Sequence, residues 1–194
     1  MQLKRMKRGF TLIEVLVSVS IFAMVMLIAT GSVFSIVAAN QKTHAIKSVM
    51  TNLNFALESM MRDMRLGSRY ACGSSVPLSS PFDCSSGDTV FRFKANRDVS
   101  GDGVYDASGI NDQVEYRLLN GRIMKKVYDN TTTDFAITAT EVHVTSLMFY
   151  VTGSSAGDGK QPKVVVTVQG YSGSGATQST FNIQTMVTQR AIDS

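Results

Sequence analysis

Hydrophobic and polar positions change their period twice along the chain. From Phe10 to Ala39 the residues are apolar almost without interruption: the only charge in these 30 positions is Glu14, and the 25 from Val15 to Ala39 carry none. At 1.5 Å per residue the uncharged run makes roughly 37 Å of helix, enough to cross a hydrocarbon layer of about 30 Å with some tilt. Beyond Ala39 the apolar positions thin to a stripe. Ile46, Val49, Met50, Leu53, Leu57, Met60, Met61 and Met64 recur at steps of three and four, which is one face of a helix. No proline interrupts residues 10 to 76, so one continuous helix is expected from Phe10 to about Arg65, roughly 84 Å in length, with Gly67 as its stop. The stripe is wider than a two-in-seven seam, which favours packing on the chain's own globular part over a coiled coil.

From Ala71 the composition turns to Gly, Ser, Thr, Asn and Asp, and the period shortens to two. Strands are predicted over Thr89–Lys94, Gln113–Leu119, Arg122–Tyr128, Glu141–Val151, Lys163–Gly170 and Thr180–Val187. Asn120-Gly121, set between two alternating segments, predicts a hairpin with a two-residue turn. With no second amphipathic helix, the expected fold is α+β: a long N-terminal helical spine, first apolar and then amphipathic, packed on a C-terminal antiparallel β-sheet.

Charge sharpens this picture. The chain has 194 residues with 19 Lys+Arg against 15 Asp+Glu, and Lys4, Arg5, Lys7 and Arg8 place four of those cations before the apolar run. From Phe10 onward the counts are 15 and 15, so the basic balance belongs to the first residues and no nucleic-acid partner is expected. The cations precede the apolar segment and none follows until Lys42, which orients the N-terminus to the cytoplasm and the rest outside. With two histidines, His44 and His143, and two cysteines, there is little from which to build a zinc site or a histidine-based triad. No enzyme is expected, and the Ser, Asp and Glu residues form no recognisable catalytic motif.

A cleaved signal peptide should have an apolar core of about 7 to 15 residues, shorter than this one. A plain single-pass anchor, displaying a β-rich binding or adhesin domain, explains the length but not Glu14. A carboxylate in a membrane-embedded helix costs up to about 2.5 to 3.5 kcal/mol at mid-depth and requires a partner.

The run Lys7-Arg8-Gly9-Phe10-Thr11-Leu12-Ile13-Glu14-Val15-Leu16-Val17 resembles the class III leader of type IV pilins and type II secretion pseudopilins. It has a short basic leader ending in glycine, a phenylalanine after it, and a glutamate five residues into an apolar helix. The resemblance implies that residues 1–9 are a leader, cut by a prepilin peptidase between Gly9 and Phe10, and that the new Phe10 amine is N-methylated. It implies residence in a bacterial inner membrane, with residues 10–39 as the membrane half of the spine, 40–67 as its amphipathic half and 68–194 as an extracytoplasmic globular domain. Its partners would be other pilins or pseudopilins and an assembly platform protein. Clipping off the four cations leaves one ammonium on an apolar rod, the natural partner for Glu14 of a neighbouring subunit, so Glu14 is expected to set the register of assembly. Leu57 to Arg65 and Asn182 to Arg190 also resemble segments of J-type minor pseudopilins. Gly31 stands mid-span where many type IV pilins have proline.

Two further groups carry candidate chemistry. Cys72 and Cys84 bracket eleven residues, including Pro77 and Pro81, and in an oxidising compartment are expected to form a disulfide. Asn96 to Asp106 can be read as a calcium loop, with oxygens from Asp98, Ser100, Asp102 and Asp106 and a sharp turn at Gly103. The twelfth position is Gly109, where a bidentate glutamate would be needed, so a solvated Asp/Gly turn is the preferred reading and no other cofactor is expected.

Overall fold

The computed structural model describes residues 9–73, 78, 80–106, 111–128, 133–155, 157–173, 175 and 178–190. Lys4, Arg5, Lys7, Arg8, Pro77 and Gly109 lie outside the described residues. The chain divides into two compact units, residues 1–44 and 45–194, so the division falls inside the spine helix, a few residues after Ala39.

One helix, α1 (Leu12–Leu66), runs without a break through Gly31. In the first unit every described residue from Gly9 to His44 is exposed, although an 18-residue window there reaches a mean hydropathy of 2.6. Hydroxyls inside this segment find partners within the helix. Ser18, Ser20, Thr30 and Ser32 each donate to the carbonyl four residues back, at 2.6 to 3.1 Å, so none needs water.

In the second unit the helix continues from Ala45 and buries one face. Val49, Leu53, Ala56, Leu57, Met60 and Met64 are between 0 and 7% exposed. Burying an apolar side chain of this size contributes about 1.5 to 3 kcal/mol, which is what holds this half of the helix to the sheets. Met50, expected on that face, is 37% exposed, and the small Ala56 occupies the packed stripe instead.

Among the described residues nine strands follow: β1 (Ser68–Cys72), β2 (Cys84–Asp88), β3 (Val90–Lys94), β4 (Gln113–Leu119), β5 (Arg122–Tyr128), β6 (Thr133–Ala136), β7 (Val142–Thr152), β8 (Lys163–Ser172) and β9 (Ser179–Thr188). They form two antiparallel sheets rather than one, in the orders β1-β3-β4-β5-β6 and β2-β7-β8-β9. The six sequence-predicted strands are all present as β3, β4, β5, β7, β8 and β9. The three that were not predicted, β1, β2 and β6, are all sheet edges of four or five residues. Edge strands are short and carry residues such as the Ser-Ser-Gly-Asp of β2, which have low strand propensity, so alternation does not reveal them.

The inner faces of both sheets meet the helix in one core. Phe91 of β3 stacks on Phe149 of β7 with ring centroids 5.4 Å apart, joining the sheets, and Tyr70 meets Phe91 edge-on at 5.3 Å. Asn120 and Gly121 have φ of 51° and 72° and connect Leu119 directly to its partner Arg122, the two-residue turn expected from their identity. Gly67 does follow the helix, but for a different reason from a left-handed cap. Its N–H bonds the Met64 carbonyl at 2.9 Å, and a Cβ there would lie 2.2 Å from Cδ2 of Phe93 and 3.1 Å from the Lys94 carbonyl. The glycine is required because the first turn out of the helix runs hard against β3.

Candidate functional site

At the start of α1, Gly9, Phe10, Thr11 and Glu14 are all exposed, as an N-terminal processing site would need. Thr11 precedes the first helical residue, and the Glu14 amide bonds its carbonyl at 3.1 Å and its hydroxyl at 3.4 Å. Thr11-x-x-Glu14 is therefore the pattern of a capping box, and Glu14 also sits in the first turn, where a negative charge faces the positive end of the helix dipole. The sequence reading missed Thr11. Its signal, a threonine three residues before a glutamate at the head of an apolar run, is legible in the sequence. Glu14 thus gives its amide to the Thr11 cap and its charge to the first turn of the helix.

A second polar constellation fixes the other end of the helix to the five-stranded sheet. Asp63, three residues before the end of the helix, is 13% exposed at its side chain. Its Oδ2 accepts hydrogen bonds from Lys125 Nζ at 2.6 Å and from the Tyr116 hydroxyl at 3.0 Å, and its Oδ1 from Arg97 at 3.3 Å. Lys125 and Tyr116 are register partners on β5 and β4, so they present their polar ends side by side to the helix. Burial, followed by the charge of Asp63, holds the Tyr116 hydroxyl well above its ordinary pKa. The Tyr70 hydroxyl donates to the Met64 carbonyl, and the Arg190 amide to the Arg65 carbonyl at 3.0 Å, so the helix end is met from β1 and from beyond β9 as well.

On the opposite face of the same sheet, buried Glu115 accepts hydrogen bonds from Arg92, Arg117 and Tyr128 at 2.7 to 2.8 Å. Burial alone would raise the Glu115 pKa; these donors outweigh it and leave the carboxyl below its usual range. Tyr128, half-buried and bonded to that carboxylate, is pushed up to about 12. Arg117 continues the network to Asp134.

Cys72 and Cys84 are bonded to each other. Because Cys72 ends β1 and Cys84 begins β2, the bond does more than close a loop: it ties the edges of the two sheets together. Three hydrogen bonds reinforce the seam. The Phe82 amide and the Ser154 hydroxyl both donate to the Tyr70 carbonyl, at 3.2 and 2.9 Å, and the Ser154 amide donates to Asp83 at 2.7 Å.

The calcium candidates Asp98, Ser100, Asp102 and Asp106 form a turn held by its own backbone. Asp98 accepts from the Ser100 hydroxyl and from the amides of Gly101 and Gly103, at 2.8 to 3.0 Å, and Asp102 accepts from the Val104 amide at 2.8 Å. Asp112, which the sequence reading did not single out, gathers the amides of Val99, Ser100 and Asp106 at 2.7 to 2.9 Å. Burial tends to raise its pKa, but these amide bonds outweigh that and lower it. Asp106 instead faces Lys94 at 4.0 Å. Asp98, Asp102 and Asp112 thus accept from nearby amides, and among the described residues no group of three His, Cys, Asp or Glu side chains is placed to hold a metal ion.

A family description, the prokaryotic N-terminal methylation motif, matches residues 4–30. It covers the basic leader, Gly9, Phe10, Glu14 and most of the apolar half of the helix, and it supports a type IV pilin-like or pseudopilin precursor. A motif of this class marks a structural subunit rather than an enzyme, and implies processing by prepilin peptidase and assembly with other pilins. The exposed apolar helix fits membrane anchoring. No curated protein and no solved structure matches the chain.

Proposed function

We propose that the chain is a minor subunit of a type II secretion pseudopilus or a type IV pilus, of the J-type among pseudopilins. It is processed between Gly9 and Phe10 and methylated on the new amine. Before assembly it resides in the inner membrane with its N-terminus cytoplasmic and residues 45–194 outside. The observation that carries this reading is the methylation motif over residues 4–30, set at the head of a helix whose apolar residues up to position 44 are all exposed. The Cys72–Cys84 bond supports an oxidising compartment for the globular part.

Removal of the leader takes away the four cations that hold the N-terminus at the cytoplasmic face, and extraction by an assembly platform protein becomes cheaper. The Phe10 ammonium then pairs with Glu14 of a neighbouring subunit, because each charge is costly alone in a low-dielectric filament core and tolerable when paired.

Two measurements test this. Intact mass of the native protein should correspond to a chain beginning at Phe10 with one added methyl group. A chain still beginning at Met1 would instead indicate a plain anchor displaying its domain. Substitution at Glu14 separates its two roles. Glu14→Gln keeps the length and shape of the side chain and removes the charge, whereas Glu14→Ala removes both. Normal cleavage with lost incorporation in both variants is expected; full incorporation of Glu14→Gln would defeat the charge pairing with Phe10.

A further inference from the structure

Where α1 ends, a cavity of about 400 Å³ is lined by Leu66, Gly67, Ser68, Asn96 and Arg190. Arginines adjoin its other walls: Arg65 precedes Leu66, Arg69 follows Ser68 and Arg97 follows Asn96. The Arg190 amide donates to the Arg65 carbonyl at 3.0 Å, which brings the last of these residues to the helix end. Arg65, Arg97 and Arg190 are exposed and Arg69 is half-buried. Arg97 reaches Asp63, whereas the side chains of Arg65, Arg69 and Arg190 make no ion pair and no hydrogen bond among the described residues.

An arginine in the last turn complements the negative end of the helix dipole, which accounts for Arg65 but not for Arg69 of β1 or Arg190 beyond β9. Arg69 is also held at a φ of 55° where β1 breaks register against β3, a left-handed conformation unfavourable for a residue with a Cβ. The acids of the same unit are already engaged. Among the described residues from 45 onward, every carboxylate except that of Glu141 is met by an arginine, a lysine or an amide of its own chain. A second copy therefore offers no pair of uncommitted carboxylates from these residues, and a symmetric contact through the cluster would set arginine against arginine. A lone inorganic oxyanion would leave most of the cavity, and Leu66 at 41% exposure, uncovered.

We propose that this cluster docks an acidic peptide segment of a different protein chain, whose carboxylates pair with Arg65, Arg69 and Arg190 and whose apolar atoms cover Leu66. Guanidinium forks take carboxylates in bidentate fashion, and Ser68 and Asn96 add neutral hydrogen-bonding groups to the wall. The interaction rests on neither the membrane nor the filament reading.

The test uses the full chain in nonionic detergent micelles and an end-blocked Glu-Leu-Glu-Glu peptide carrying an uncharged fluorophore. Fluorescence anisotropy should show saturable binding that the Gln-Leu-Gln-Gln counterpart lacks. Arg65→Gln, Arg190→Gln and Arg69→Gly should each weaken it about fivefold, the factor for one exposed charge pair. Glycine suits the backbone at position 69, so the urea midpoint of Arg69→Gly should hold or rise while its binding falls. Lys47→Gln, the same charge change roughly 27 Å back along the helix from Arg65, should leave binding unchanged. No saturable binding at about millimolar peptide, equal binding of the glutamine peptide, undiminished binding by Arg69→Gly, or equal weakening by Lys47→Gln would overturn the proposal. So would displacement of the peptide by inorganic phosphate at the peptide's own concentration, which would assign the cluster to a free oxyanion. Self-association of the parent chain in sedimentation velocity, lost in the arginine variants, would overturn it in favour of a second copy.

Discussion

Asp63→Ala tests how the globular part grips the spine helix. The carboxylate accepts two short hydrogen bonds, from Lys125 and Tyr116, in a site where the Asp63 and Lys125 side chains are 13% and 14% exposed. Removing one member of a buried ion pair costs about 3 to 5 kcal/mol, because the partner charge is stranded. Lys125 retains some access to solvent, so the lower end, about 3 kcal/mol, is expected; Arg97, exposed over 63% of its side chain, adds little. For a unit of this size that lowers the melting temperature by about 6 to 12 °C. All six tyrosines lie between Tyr70 and Tyr171 and the chain has no tryptophan, so circular dichroism in the tyrosine band, beyond the phenylalanine bands, reports this unit during urea or thermal unfolding. Asp63→Asn, which still accepts from Tyr116, should cost about half as much. The double variant with Lys125→Met should be more stable than the sum of the single losses by at least about 1 kcal/mol, since it removes the stranded ammonium. A loss under about 0.5 kcal/mol for Asp63→Ala, or strict additivity, would refute the anchoring argument.

Gly67→Ala should destabilise the same unit by about 1 to 3 kcal/mol in a urea titration, because the new Cβ meets the Phe93 ring and the Lys94 carbonyl. Replacing Cys72 and Cys84 together by serine should cost about 3 kcal/mol on the chain-entropy account for a loop of this length, read as a lower urea midpoint than that of the oxidised protein. Stability should fall as pH rises from 10 through about 12, because folded Tyr128, and Tyr116 beyond it, keep protons that the unfolded chain has released. On the acid side Glu115 and Asp112 have lowered folded pKa values, so the unfolded chain binds protons first. Their contribution is present above about pH 4 and is lost as pH falls through their folded values; a flat urea midpoint across either window would contradict these assignments.

The sequence by itself determined whatever depends on local period and spacing. An uninterrupted apolar run gives a helix, a stripe at three- and four-residue steps gives its packed face, and alternation gives the six strands β3, β4, β5, β7, β8 and β9. Asn120-Gly121 fixes a turn because few other pairs tolerate two positive φ angles. The processing motif is equally local, a change from charge to apolar residues at fixed spacing, and Thr11 was legible on the same terms. The tertiary structure alone decided whatever depends on residues far apart in the chain. Asp63 reads as a solvated helix carboxylate until β4 and β5, more than fifty residues later, bring Tyr116 and Lys125 to it. Gly67 resembles a helix cap until Phe93 occupies the space its side chain would need. The division into two sheets, with the cysteines joining their edges and β9 left unpaired among the described residues, follows from strand order. Alternation states which residues face inward, but it carries no information about which strands become neighbours.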